Sequence, residues 1–141
     1  MNSFEAAGVL RRAVMGLGRR LRAERPPDSL SATKLALLGH LYRRGPTNGV
    51  ALAELERIQP QSLTRVLADL VAEGLISRRP DPDDGRRQLL EITPDGRAAL
   101  TGDMQMRDAW LAKAMDSELS DAERELLRAA AKLMERLADV G

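Results

Sequence analysis

Residues 60–96, PQSLTRVLADLVAEGLISRRPDPDDGRRQLLEITPDG, change their hydrophobic period partway along, and that change decides the architecture. In the first part Leu63, Val66 or Leu67, and Leu70 recur at helical spacing. Pro60 suits the first turn, because its missing N–H is one that a helix leaves unpaired anyway. Gly74 supplies the stop. After it, Leu75-Ile76-Ser77-Arg78-Arg79 and Gln88-Leu89-Leu90-Glu91-Ile92 are short strand candidates. Between them, the Pro, Asp and Gly content of residues 80–87 favours a turn. The stretch predicts a helix followed by a hairpin with a charged tip.

Working outward, Thr93-Pro94 reads as an N-cap and a first-turn proline for a long helix to about Leu119, with Leu100, Met104, Leu111 and Met115 on one face. Ser120 and Glu123 form a capping-box pattern for a last helix. In it Leu126, Ala130, Leu133, Leu137 and Val140 repeat the four-three alternation of a helix–helix seam. Upstream, Ala7, Leu10, Val14, Leu17 and Leu21 give residues 4–25 a one-sided apolar stripe, which Pro26-Pro27 ends. Ser31 sits where an N-cap belongs, ahead of a helix through about Arg44 with Leu35, Leu38, Leu41 and Tyr42 inward and Gly45-Pro46 as its stop. A short helix at about 50–57 follows, with Leu52, Leu55 and Ile58 inward.

Composition narrows the function. The 141 residues suffice for one domain with its own core, and 43% apolar with 30% charged residues is the balance of a folded soluble chain. With no Cys there is no disulfide, thiolate metal site or cysteine nucleophile, and the single His, His40, leaves little for metal chemistry. No glycine-rich phosphate loop or triad is present, so neither an enzyme nor a cofactor is expected. No stretch approaches the roughly 20 apolar residues of a membrane span, and Arg11 and Arg12 interrupt the N-terminal apolar region. A cytoplasmic protein with no membrane partner is expected. Only three aromatics, Phe4, Tyr42 and Trp110, argue against stacking on single-stranded nucleic acid. Residues 1–50 carry nine basic residues against three acidic, and residues 98–141 six against nine, an asymmetry that suits one face turned toward a polyanion.

The order helix, helix, helix, hairpin between long terminal helices predicts a mainly α (α+β) fold. It is a winged helix-turn-helix over 30–94 with a two-stranded wing hairpin, flanked by dimerisation helices at 4–25 and 95–140 in a single domain, 1–141. Four pieces in this order resemble the MarR family of bacterial transcription regulators. They are Leu30-Ser31-Ala32-Thr33, Pro60-Gln61-Ser62-Leu63-Thr64-Arg65 opening the recognition helix, Leu70-Val71-Ala72-Glu73-Gly74-Leu75-Ile76 leaving it, and Asp84-Gly85-Arg86 through Ile92-Thr93-Pro94-Asp95-Gly96. The last is the most specific, matching the family's wing signature.

Base edges in the major groove are read by hydrogen bonds, so the exposed first turns of a recognition helix must offer polar, flexible groups. Gln61 can pair with adenine and Arg65 with guanine or phosphate, while Ser62 and Thr64 can bond either; the plainer reading is that these residues only cap or solvate the helix. A turn tip bearing Arg86 and Arg87 can enter the narrow minor groove, where negative potential concentrates. The resemblance implies that Asp84 holds the wing in shape and Arg86 inserts. Phosphates are expected at Ser31, Thr33 and Arg57, and at Arg78 or Arg79.

The resemblance further implies a homodimer on double-stranded DNA, most simply a repressor at an inverted-repeat operator, with a small aromatic anion as effector between the DNA-binding lobe and the dimer arms. Arg11, Arg12, His40, Tyr42, Met106 and Trp110 are the candidate effector contacts, although packing is the ordinary role of His40 and Trp110. The alternative is a winged-helix module for protein interaction or RNA, which needs neither Arg65 nor Arg86. Without Cys a thiol switch is excluded, so release by a ligand is expected.

Overall fold

The computed structural model describes residues 1–25 and 28–141. Its elements are α1 (Ser3–Ala23), α2 (Ala32–Arg44), β1 (Thr47–Asn48), α3 (Gly49–Glu56), α4 (Pro60–Ala72), β2 (Ile76–Pro80), β3 (Gln88–Ile92), α5 (Pro94–Glu118) and α6 (Asp121–Ala138). They form two compact units, one of Pro26–Gln105 and one of Met1–Arg25 with Met106–Gly141, so the division falls inside α5 and not at its start.

In the first unit α2 is the central helix, packed against α3, α4 and β3. Leu35, Leu37, Leu38 and Leu41 are all buried, on more than one side of the helix. Leu52 of α3, Leu63, Leu67 and Leu70 of α4, Ile76, Leu90 and Ile92 of the sheet and Leu100 of α5 complete the core. Each such side chain contributes about 1.5–3 kcal/mol by leaving water. Tyr42, expected inward, is 55% exposed, while Leu37, outside the expected inward set, is fully buried. On α5 the buried positions of this unit are Gly96, Leu100 and Asp103, so Met104, expected on that face, points outward.

The expected hairpin is the larger part of a three-stranded antiparallel sheet in the order β1-β3-β2. Ile76 pairs with Ile92 and Pro80 with Gln88, while Thr47 and Asn48 add a third strand opposite Leu90 and Leu89. Two residues are too short to show an alternating pattern, which hid β1 from the sequence. Its last residue also caps the next helix, since the Asn48 side chain accepts from the N–H of Ala51.

The wing is seated on α5 by a local network. Thr93 Oγ1 donates to the carbonyl of Gly74 at 2.6 Å and accepts from the N–H of Gly96 at 3.0 Å, so Thr93 is the expected cap and also a tie to the end of α4. Gly96 lies against the Leu75 carbonyl, where a Cβ would collide with backbone.

The second unit contains α1, the rest of α5, and α6. A capping box of Asn2 and Glu5 opens α1, and the expected Ser120–Glu123 box opens α6. The expected Pro26-Pro27 stop lies outside the described residues; α1 ends at Ala23 with Glu24 as its cap. Arg124 of α6 donates to the Leu119 carbonyl at 2.7 Å, closing the turn after α5. No residue of α1 or α6 is fully buried. Val14 and Met15 on α1, and Leu126, Leu133 and Leu137 on α6, lie open to solvent. A groove of about 550 Å³ runs between Leu17, Leu111, Met115, Leu127 and Met134.

Candidate nucleic-acid interface

Burial of Leu63, Leu67 and Leu70 fixes which side of α4 faces outward. Gln61, Ser62 and Arg65 occupy that outer side, exposed, and none forms a side-chain hydrogen bond or ion pair among the described residues. Such groups keep their hydrogen-bonding capacity for something else. Pro60 occupies the first turn, and Thr64 Oγ1 donates back to its carbonyl at 2.9 Å. Asp69, one turn beyond Arg65 on the same outer side, places a carboxylate there that the sequence reading passed over.

The turn ahead of α4 contains Arg57 in the left-handed conformation, φ 55 and ψ 45. That conformation costs an ordinary residue roughly 1–2 kcal/mol. The Arg57 side chain is exposed.

The wing tip is ordered by its acids. Asp81 Oδ1 accepts from the N–H of Asp83 at 2.9 Å, and the Asp81 N–H reaches the Arg87 carbonyl at 3.0 Å. Asp84 holds the backbone of Arg86 and lies beside the guanidinium of Arg87. The Arg86 side chain itself pairs with no carboxylate among the described residues. On the strands, Arg79 Nε lies 3.4 Å from Glu91 Oε2, a diagonal cross-strand pair. Thr64, Arg78 and Arg87 line an open cleft of about 270 Å³ together with Val50, Leu67 and Leu90. Ten of the expected positions belong to α4 or to the adjoining sheet and its turn: Pro60, Gln61, Ser62, Thr64 and Arg65 on the helix, and Arg78, Arg79, Asp84, Arg86 and Arg87 on the wing.

Ser31 and Thr33 stand at the start of α2. Ser31 accepts from the N–H of Lys34 as the cap of α2, and Lys34 pairs with Glu73 at the carboxyl end of α4. The reading end of a 13-residue helix lies about 20 Å from there.

The candidate effector residues divide between the two units. Arg11, Arg12, Met106 and Trp110 belong to the helical unit, and His40 and Tyr42 to the winged unit. The Arg20 guanidinium covers the Trp110 ring at 5.0 Å from its centroid, a cation–π contact. His40 Nε2 lies 2.9 Å from Glu56 Oε2, so Glu56 is a partner that sequence reasoning missed. Arg11, Arg12, Tyr42 and Met106 are exposed on their helices. Among the described residues no helix is long and apolar enough to cross a membrane, and no acidic or His cluster is arranged to hold a metal ion.

A three-helix lobe whose last helix carries an unpaired polar face beside a basic wing defines a winged-helix DNA-binding protein. The MarR family model matches residues 30–87. An HTH-type transcriptional regulator of Mycobacterium bovis is 38% identical over 133 residues, 94% of this chain and 92% of the relative. The crystal structure of a Pseudomonas aeruginosa protein described as a transcriptional regulator superposes with a TM-score of 0.85 at 36% identity, covering 98% of this chain and 96% of that one. BpsR of Bordetella bronchiseptica, whose DNA binding is regulated by 6-hydroxynicotinic acid, matches at a TM-score of 0.68 and 25% identity over 96% of this chain and 94% of its own. The chain belongs to the MarR family. It is a DNA-binding transcriptional regulator and not an enzyme.

Proposed function

We propose that the protein is a cytoplasmic homodimeric repressor that reads an inverted-repeat operator through α4 and the wing and is released by a small aromatic carboxylate. The observation that carries the reading is the face of Gln61, Ser62 and Arg65, unpaired among the described residues, beside a wing whose Arg86 side chain has no acidic partner among them. In this reading Gln61, Ser62 and Arg65 meet base edges, and Arg86 enters the flanking minor groove. Arg57, Arg78, Arg79 and Arg87 hold phosphates. A dimer is favoured by the apolar surface that α1 and α6 leave open, since a two-fold interface buries the same patch on both copies. It places two copies of α4 in successive major grooves about 34 Å apart. Ligand release is favoured by the absence of Cys, which removes thiol switching, and by the aromatic carboxylate that regulates BpsR.

The test enriches duplexes from a random pool, then places the enriched sequence over a promoter and measures transcript. The expected outcome is a two-fold symmetric sequence, bound by a dimer in light scattering, that lowers transcription. 6-Hydroxynicotinic acid is the first compound to titrate against the complex, and mild peroxide should leave affinity unchanged. An asymmetric site bound by a monomer would contradict the reading.

A further inference from the structure

His40 lies on α2, and Glu56 is the last residue of α3; their Nε2 and Oε2 atoms are 2.9 Å apart, with both side chains largely shielded from water. The next residue, Arg57, is the one non-glycine with positive φ among the described residues, and α4 begins at Pro60. The N–H groups of Arg57 and Ile58 return to the carbonyls of Glu54 and Ala53. The last turn of α3, the left-handed residue and the approach to α4 therefore form one hydrogen-bonded piece, which His40 grips from α2.

The charge around the imidazole is simple. From α3 the group that faces it is Glu56. On α2 itself Arg43 and Arg44 follow one turn later, and the Arg43 guanidinium folds back toward Gly39. Of the other elements that pack on α2, α4 turns Leu63, Leu67 and Leu70 into the core and Glu73 toward Lys34 at the start of α2, and β3 turns Leu90 into the core. A protonated imidazole donates a charge-assisted bond to the carboxylate, about twice as strong as a neutral one. A neutral imidazole can donate from Nε2 in only one tautomer.

We propose that His40 and Glu56 are positioning residues for DNA recognition. The protonated imidazole holds the end of α3, and with it the angle at which α4 is presented, so affinity for DNA falls as the imidazole loses its proton. The inference rests on α4 being the reading helix. The sequence makes it clean to test, because the chain has a single His and no Cys.

The experiment uses the full-length protein and a fluorescein-labelled duplex that it enriches from a random pool at pH 6.5, with a scrambled duplex as reference. Affinities are measured at pH 6.0 and 8.0 at constant ionic strength. The parent should lose on the order of three- to tenfold of its affinity for the enriched duplex toward pH 8.0, and less for the scrambled one. His40→Gln and Glu56→Gln should bind weakly at both pH values with the dependence gone. His40→Lys, a cation throughout, should hold the acid-side affinity at pH 8.0. Thermal melts identify any variant that fails to fold, in which case the parent profile and His40→Lys decide. A parent with no pH dependence, or a folded His40→Gln with the parent's profile, would overturn the latch while leaving α4 as the reader. Failure to enrich any duplex would overturn both.

Discussion

Asp84 accepts a hydrogen bond from the backbone N–H of Arg86 through Oδ1 at 3.1 Å, while its Oδ2 lies 3.7 Å from Nε of Arg87, so one carboxylate orients both arginines of the wing tip. Both partners of the ion pair are well exposed, and such pairs contribute at most about 1 kcal/mol to stability. The predicted consequence lies in binding. Asp84→Ala should leave the thermal midpoint nearly unchanged and weaken DNA binding by about 1–2 kcal/mol, whereas Asp84→Asn, which keeps the Oδ1 acceptor, should recover part of it. Paired melts and duplex titrations check this.

Reading and holding should separate on α4 and β2. Arg65→Ala should cost about 1–3 kcal/mol on the preferred duplex and broaden the sequences tolerated. Arg79→Ala should weaken all duplexes alike and flatten the salt dependence. Asp69, which turns a negative charge toward the same side as Arg65, should act in the opposite sense. Asp69→Asn is expected to strengthen binding to scrambled duplex more than to the preferred one, and titrations at several salt concentrations distinguish the three.

Gly96 predicts a stability effect without a charge. A Cβ there would meet the Leu75 carbonyl and come within 2.8 Å of Ile92 Cγ1, and the carbonyl is already held by the Thr93 N–H. Gly96→Ala should destabilise the fold by about 1–3 kcal/mol despite the better helix propensity of alanine, as read from urea unfolding.

The start of α6 should respond to acid. The backbone N–H of Ser120, and then its side chain, hold the Glu123 carboxyl below its ordinary range. A group whose folded pKa is depressed stabilises above its unfolded pKa and loses that contribution as pH falls through the folded value. The α6 cap should therefore be intact at neutral pH and weaken in the acid range, below the usual carboxylate titration. Glu123→Gln should remove that acid dependence, measured by hydrogen exchange of the first α6 amides.

Much of the fold was legible because the punctuation is chemical. Ser31, Pro60, Gly74, Thr93 and Ser120 each mark an element boundary, and the structure uses all five within a residue or two. What escaped was set by tertiary context. β1 is two residues long and exists only because β3 offers it an edge, and the periodic stripe of α2 did not single out Leu37, which the surrounding elements bury completely. At the candidate site the residue types of α4 and the wing were readable from their order. The pairings were not, because His40–Glu56 and Arg79–Glu91 join positions that the sequence separates. Ser31 caps α2, as its place in the sequence indicated.

The central claim, that α4 and the wing read DNA as a two-fold pair, is tested most directly by hydroxyl-radical footprinting on the enriched duplex. The prediction is two protected segments related by a dyad, their centres about 34 Å apart, with further minor-groove protection on the outer flanks. Arg86→Ala should erase the flanking protection and leave the inner pair, while Arg65→Ala should weaken the inner pair. A single protected segment, or a footprint that neither substitution alters, would contradict the account.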